Sequence, residues 1–212
     1  MKKTKLNTKQ LVILGLLTAL TMIFSFTPIG SIPIGPLVIT LNVIPIALAA
    51  ITAGPVGGLV IGSVFGLLSF LQCFGIGVPS GMGAILVEIN PFLAFVQRFV
   101  PRALDGFLVG LIFKGVSKLT NQYVSCAVTG FFAAFLNTVL FMTALVALYG
   151  NTEYVQGLMG GKNILVFICT FVGVNAVCEM LASTIVTGAV GAALCKTNFV
   201  PTAASKPKTQ KA

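Results

Sequence analysis

Apolar residues run along this chain in long continuous stretches rather than in the alternation of half-buried strands. Six stretches stand out, at about 10–27, 38–53, 56–73, 92–114, 122–149 and 164–194. A membrane-spanning helix needs roughly 20 apolar residues. The pattern therefore predicts an all-α integral membrane fold of six transmembrane helices, forming one domain over residues 1–195. The second and third stretches are short and nearly fused at Thr52-Ala53-Gly54-Pro55, which predicts a tight turn. The fifth and sixth exceed a straight span, so they tilt or extend past the bilayer. Continuous runs argue against a β-barrel. The opening MKKTKLNTKQ and the following LVILGLLTALTMIFSF have the basic head and apolar body of a signal peptide. No A-x-A site follows cleanly, so the segment reads as an uncleaved first span.

The connections differ in character. Residues 27–36, TPIGSIPIGP, are rich in Gly and Pro and are expected to be irregular. Residues 74–91, FGIGVPSGMGAILVEINP, are long, apolar and glycine-rich, and are expected to dip into the membrane edge as a lid. Residues 150–162, GNTEYVQGLMGGK, join the last two helices. The basic tail 196–212 is polar and expected to be disordered.

Composition sharpens this picture. Of 212 residues, 57% are hydrophobic and only 8% charged, where soluble domains carry about 25% charged residues. Histidine is absent, which removes Ser-His-Asp and Cys-His catalysis and histidine metal ligands. The acidic residues Glu88, Asp105, Glu153 and Glu179 are too scattered for a two-metal carboxylate site. Neither an enzyme nor a metal or cofactor site is expected. The formal charge of +9 sits mostly in the flanks, without an aromatic-basic surface for nucleic acid. Lys2, Lys3, Lys5 and Lys9 precede the first span, Lys114 and Lys118 fall between the fourth and fifth, and Lys196, Lys206, Lys208 and Lys211 follow the sixth. All ten share one side, while Lys162 stands alone on the other. The positive-inside rule then places both termini in the cytoplasm of a multi-pass cell-membrane protein, with the lysines at anionic lipid.

Small residues mark seams between helices. Gly54, Gly58, Gly62 and Gly66 recur every four residues, as do Gly106 with Gly110 and Gly188 with Ala192. Such faces let backbones approach closely in lipid. Cys73, Cys126, Cys169, Cys178 and Cys195 are odd in number, lack a CxxC and fall mostly in apolar runs, where they read as packing residues.

Ionisable groups inside spans are costly and invite a functional explanation. Arg98, Arg102, Asp105 and Glu179 are the candidates. Spacings of four and three place Arg98, Arg102 and Asp105 on one face of the fourth helix. Arg98 could snorkel to the outer interface, and Arg102 could pair with Asp105 or Glu179. Asn42, Gln72, Asn137 and Asn175 add uncharged polar groups, each equally readable as an interhelical hydrogen bond or a ligand contact. Residue counting puts Asn42, Arg102, Asn137 and Asn175 in the outer half or near the midplane, as a pocket for a small polar ligand requires.

The segments IPIGPLVITLNVIPIALAAITAGPVGGLVIGSVFGLLSF (32–70), FVPRALDGFLVGLIFK (99–114), FLNTVLF (135–141) and NAVCEML (175–181) resemble the substrate-binding S component of energy-coupling factor (ECF) transporters. The likeness is to the branch with riboflavin and pantothenate components, and PR.L.G with NTVLF looks more like the pantothenate members. The resemblance implies six helices and capture of a vitamin from outside, for which Asn42, Arg98, Arg102, Asn137, Asn175 and Glu179 are the expected contacts. It implies partners too: a transmembrane T component and two cytosolic ATPases, since the chain has no GxxxxGK[ST] of its own. Gly15 and Ala19 match the small-residue face that docks the T component. A guanidinium fork suits a carboxylate, so pantothenate on Arg102 or Arg98 is the expected ligand. A riboflavin-binding component and a stand-alone secondary transporter are the alternatives.

Overall fold

The computed structural model describes residues 7–34, 37–161 and 163–196. Lys2, Lys3, Lys5, Lys162 and the tail 197–212 lie outside the described residues, as does the side chain of Cys169. The chain runs α1 (Thr8–Phe26), β1 (Ser31–Ile34), β2 (Leu37–Thr40), α2 (Val43–Leu71), α3 (Gly81–Ile89), α4 (Pro91–Val116), α5 (Gln122–Tyr149), α6 (Glu153–Met159) and α7 (Ile164–Lys196). Among the described residues, Thr8–Phe26, Val43–Phe74, Gln122–Tyr149 and Asn175–Lys196 are long and apolar enough to cross a membrane. Helix α4, at 26 residues, is as long but carries Arg98, Arg102 and Asp105.

The Val43–Phe74 stretch is not one rod. Gly54 sits at φ 68°, ψ −161°, a region of backbone space open essentially to glycine alone. Pro55 then begins the second half with its φ preset for a helix. In a straight helix, residues eight apart are about 12 Å apart along the axis. Here a Cβ added at Gly57 would lie 2.7 Å from the Ala49 carbonyl oxygen, and one at Gly58 would lie 3.3 Å from the Ala50 Cβ. Residues 43–53 and 55–71 therefore fold against each other around the Gly-Pro turn.

The glycines sort into seams. A Cβ on Gly58 would run into the Gly106 carbonyl, one on Gly62 into the Arg102 carbonyl, and one on Gly110 into Pro55. These pairs set α4 antiparallel to the second half of α2 at near-backbone contact, as small residues allow in lipid. Gly130 meets Ser183 and Thr187, and Gly188 meets Ala127, which sets α7 antiparallel to α5. Helix α1 packs Leu14, Leu17, Thr21 and Ser25 inward. Its opposite face exposes Leu11, Val12, Leu16 and Ile23, an apolar surface suited to lipid rather than water. Gln10 donates to the Thr52 carbonyl at 3.0 Å, joining the start of α1 to the α2 turn.

That end of the bundle gathers the start of α1, the Gly54 turn, the end of α4 and the end of α7, so Lys9, Lys114, Lys118 and Lys196 share it. At the other end, three expected loops contain regular structure. Strands β1 and β2 pair antiparallel from Ser31↔Thr40 to Ile34↔Leu37. Residues 38–40, expected to begin the second helix, are thus strand, and that helix starts only at Val43. β-Branched Ile32, Val38, Ile39 and Thr40 favour the extended form. Within 74–91, Ser80 accepts the Gly83 N–H and starts α3, and Asn90 accepts the Leu93 N–H and starts α4 at Pro91. Thr152 likewise caps α6 within 150–162. The Tyr149 hydroxyl reaches the Leu86 and Asn90 carbonyls at 3.1 and 2.9 Å, pinning α5 to the α3–α4 junction.

Candidate substrate site

A cavity lies among α2, α4, α5 and α7, in the half of the bundle that the β-hairpin and α3 cover. Its depth follows from α4. Counted from Pro91, Arg98 and Arg102 stand about 10 and 16 Å along the helix. Pro101 lies between them and has no N–H to give the Gln97 carbonyl, which loosens the turn that bears both guanidinium groups.

The two arginines are held differently. Arg98 donates from Nη2 to Ser80 Oγ at 3.0 Å, the same hydroxyl that caps α3. Arg102 donates from Nη1 back to the Arg98 carbonyl at 3.0 Å. Its guanidinium carbon sits 4.8 Å from the Phe65 ring centre and 5.0 Å from that of Phe141, and Arg98 is 5.3 Å from Phe141. These cation–π contacts orient the cations without neutralising them. Both Nε atoms are buried without a hydrogen-bond partner in the protein, and so is Asn137 Oδ1. Buried polar atoms are nearly always paired, and these three lack a partner within the protein.

The acidic groups do not cancel the arginines by hydrogen bonding. Glu179 lines the cavity, and its Oε1 accepts the Thr40 backbone N–H at 2.7 Å. Asp105 is fully buried away from the cavity, and neither of its oxygens has a hydrogen-bond partner. The pairing of Arg102 with Asp105 or Glu179 that the sequence allows is therefore not made. Two guanidinium groups and one carboxylate face the cavity, a positive balance in a low-dielectric setting that favours an anion. Snorkelling of Arg98 is likewise not seen, since its side chain is buried against α3.

Of the residues singled out in sequence, Arg98, Arg102, Asn137, Asn175 and Glu179 line this cavity together. Asn42 does not. Its Nδ2 donates to Ser25 Oγ at 3.1 Å and its backbone N–H to Thr40 Oγ1 at 3.2 Å, beneath the hairpin. Gln72 lines the cavity too, its side chain donating to the Ser25 carbonyl at 2.9 Å. Thr40, Ser69, Ser80 and Thr138 also line the cavity; small hydroxyls commonly bond nearby backbone and so give no functional signal in the sequence. Phe65, Phe141 and Met142 likewise line it and carry no polar signal. No three metal-ligating side chains gather among the described residues.

Gly15 and Ala19 lie elsewhere, on the outer face of α1, where a Cβ added at Gly15 would touch nothing in the chain. Glycine is not needed there for packing within the bundle.

Residues 9–191 match the family described as ECF transporter, substrate-specific component. The chain is also 29% identical, over 195 residues, to a protein of Leuconostoc mesenteroides subsp. mesenteroides named pantothenate transporter PanT, covering 87% of this chain and 91% of that one.

Proposed function

The chain belongs to the family of substrate-specific components of ECF transporters, and from that premise we propose that its cavity captures pantothenate from outside the cell for import. The carrying observation is the pair Arg98 and Arg102, converging on a buried cavity with no carboxylate hydrogen-bonded to either. An anionic ligand supplies the missing partner. Arg102 takes the carboxylate, because its guanidinium lies against Phe65 and Phe141 and makes no hydrogen bond to another side chain. Arg98, anchored on Ser80, adds positive field behind it. Asn137, Asn175 and Glu179 serve the hydroxyl and amide groups. Phe141 and Met142 supply apolar wall for the dimethyl carbon.

The reading extends to topology and partners. The folding back of α2 at Gly54 supports six spans: α1, the two halves of α2, α4, α5 and α7. Lys9, Lys114, Lys118 and Lys196 at one end support cytoplasmic termini, with the cavity toward the outside. Gly15 and Ala19 form the face that a T component docks, and two cytosolic ATPases supply the hydrolysis. Mass spectrometry of the small molecule that co-purifies with the chain tests the substrate. Pantothenate is the expected mass; riboflavin in its place would keep the family and overturn the ligand.

A further inference from the structure

Helix α3 starts against the cavity, and its first turn has hydrogen-bond donors left over. Ser80 Oγ takes the Gly83 N–H at 3.2 Å, and the Ser80 carbonyl takes the Ala84 N–H at 3.0 Å. The N–H groups of Gly81 and Met82 come too early for a carbonyl of their own helix. Among the described residues no other group takes them. Met82 is 2% exposed and lines the cavity beside Ser80, so its N–H is shielded from bulk water.

A buried cation stands at the same place. Arg98 is 6% exposed and donates from Nη2 to Ser80 Oγ at 3.0 Å. A Cβ added at Gly83 would lie 2.9 Å from that Nη2 and 2.6 Å from Cys73 Sγ, so the guanidinium is pressed onto the first turn of α3. Its Nε is buried without a partner. The N-terminal end of a helix carries partial positive charge and favours anions over cations. Two positive sources therefore add here, and the side chain that Arg98 bonds is the neutral hydroxyl of Ser80. We propose that the first turn of α3 and Arg98 form the second half of the carboxylate site. The two guanidinium groups lie 5.3 and 5.0 Å from the same Phe141 ring centre, so both border one part of the cavity. A carboxylate has about four acceptor positions on its two oxygens. Arg102 occupies one side of it, and Arg98 Nε and the Met82 N–H take positions that Arg102 leaves open. The inference rests on the reading of Arg102 as the carboxylate-binding residue and adds a backbone donor to that site.

The test uses the purified full chain in lipid nanodiscs. Calorimetry is run with pantothenate and with the analogue that carries a primary alcohol in place of the carboxylate. Ser80→Asp and Ser80→Asn both offer a side-chain oxygen to cap α3, but the aspartate puts its own anion in the proposed position. Ser80→Asp should bind pantothenate about tenfold or more weakly than Ser80→Asn, the scale of one charge-assisted hydrogen bond, with a Tm at least as high. The alcohol analogue should not distinguish the two variants. In wild type isotope-labelled at its methionine nitrogens, the Met82 amide proton, assigned through Met82→Leu, should move downfield in NMR spectra when pantothenate is added. Equal pantothenate affinity in the two Ser80 variants, or a Met82 amide that stays in place at saturating pantothenate, would overturn the inference, while a weakened Arg102→Ala variant would keep Arg102 on the carboxylate. If the wild-type chain binds no pantothenate, the substrate reading fails and this inference with it.

Discussion

Glu179 on α7 accepts the backbone N–H of Thr40 at 2.7 Å across 139 positions of sequence. This bond ties the hairpin that covers the cavity to the helix that forms its wall, and Glu179 itself lines the cavity. A side chain that holds the cover and faces the ligand couples the two. Glu179→Ala should therefore speed ligand dissociation by about tenfold, the scale of a hydrogen bond to a charged group. The Thr40 amide should lose hydrogen-exchange protection in the same variant. Protection at Thr40 equal to wild type would show that the hairpin is held by other contacts.

The glycine seams and the α1 face respond oppositely to bulk. Gly106→Val places a branched side chain against the Gly58 carbonyl. It should destabilise the fold by about 1–3 kcal/mol, as overpacking does, read as a lower Tm in detergent. Unchanged Tm would contradict the close α2–α4 packing.

Gly15→Leu meets nothing in the chain. It should leave Tm and ligand affinity at wild-type values while abolishing uptake by the assembled transporter, because the docking helix can no longer approach. Wild-type uptake by the Gly15→Leu variant would rule out a docking role.

Orientation is read from exposed positions in a cysteine-free background. Ile29→Cys and Gln156→Cys, both at the cavity end, should react with an impermeant thiol reagent on intact cells, whereas Lys118→Cys should not. The reverse pattern would invert the topology. Ser31 is a poorer probe although it is in the same segment, because it is buried at the cavity.

Much of this site was legible in sequence for a physical reason. Arg98, Arg102, Asn137, Asn175 and Glu179 interrupt apolar runs, where a polar group is costly and needs a partner. Gly54-Pro55 was legible as a turn because few dipeptides end one helix and start another so sharply. The hairpin was not, since Pro33, Gly35 and Pro36 read as irregular backbone and mask the strand-forming Ile32 and Val38–Thr40. Thr40 acts through its backbone N–H, which no residue type announces. Asn42 shows the limit of counting residues for depth: the count supplied its level in the bundle but not its face, and it points to Ser25. The orientation of Arg102 depends on Phe65 and Phe141 from two other helices, a contact that only the folded bundle defines.

Arg102 is the residue proposed to bind the carboxylate of pantothenate. Isothermal calorimetry of the purified chain with pantothenate and with riboflavin, repeated on Arg102→Ala and Arg98→Ala, tests it most directly. Wild type should bind pantothenate and ignore riboflavin. Arg102→Ala should weaken pantothenate binding by at least about 1.5 kcal/mol, the low end for a charge-assisted hydrogen bond. Arg98→Ala should lower Tm as well as affinity, because the Ser80 contact to α3 goes with it. Pantothenate binding at wild-type strength in the Arg102→Ala variant would remove Arg102 from the carboxylate, and riboflavin binding in place of pantothenate would overturn the ligand.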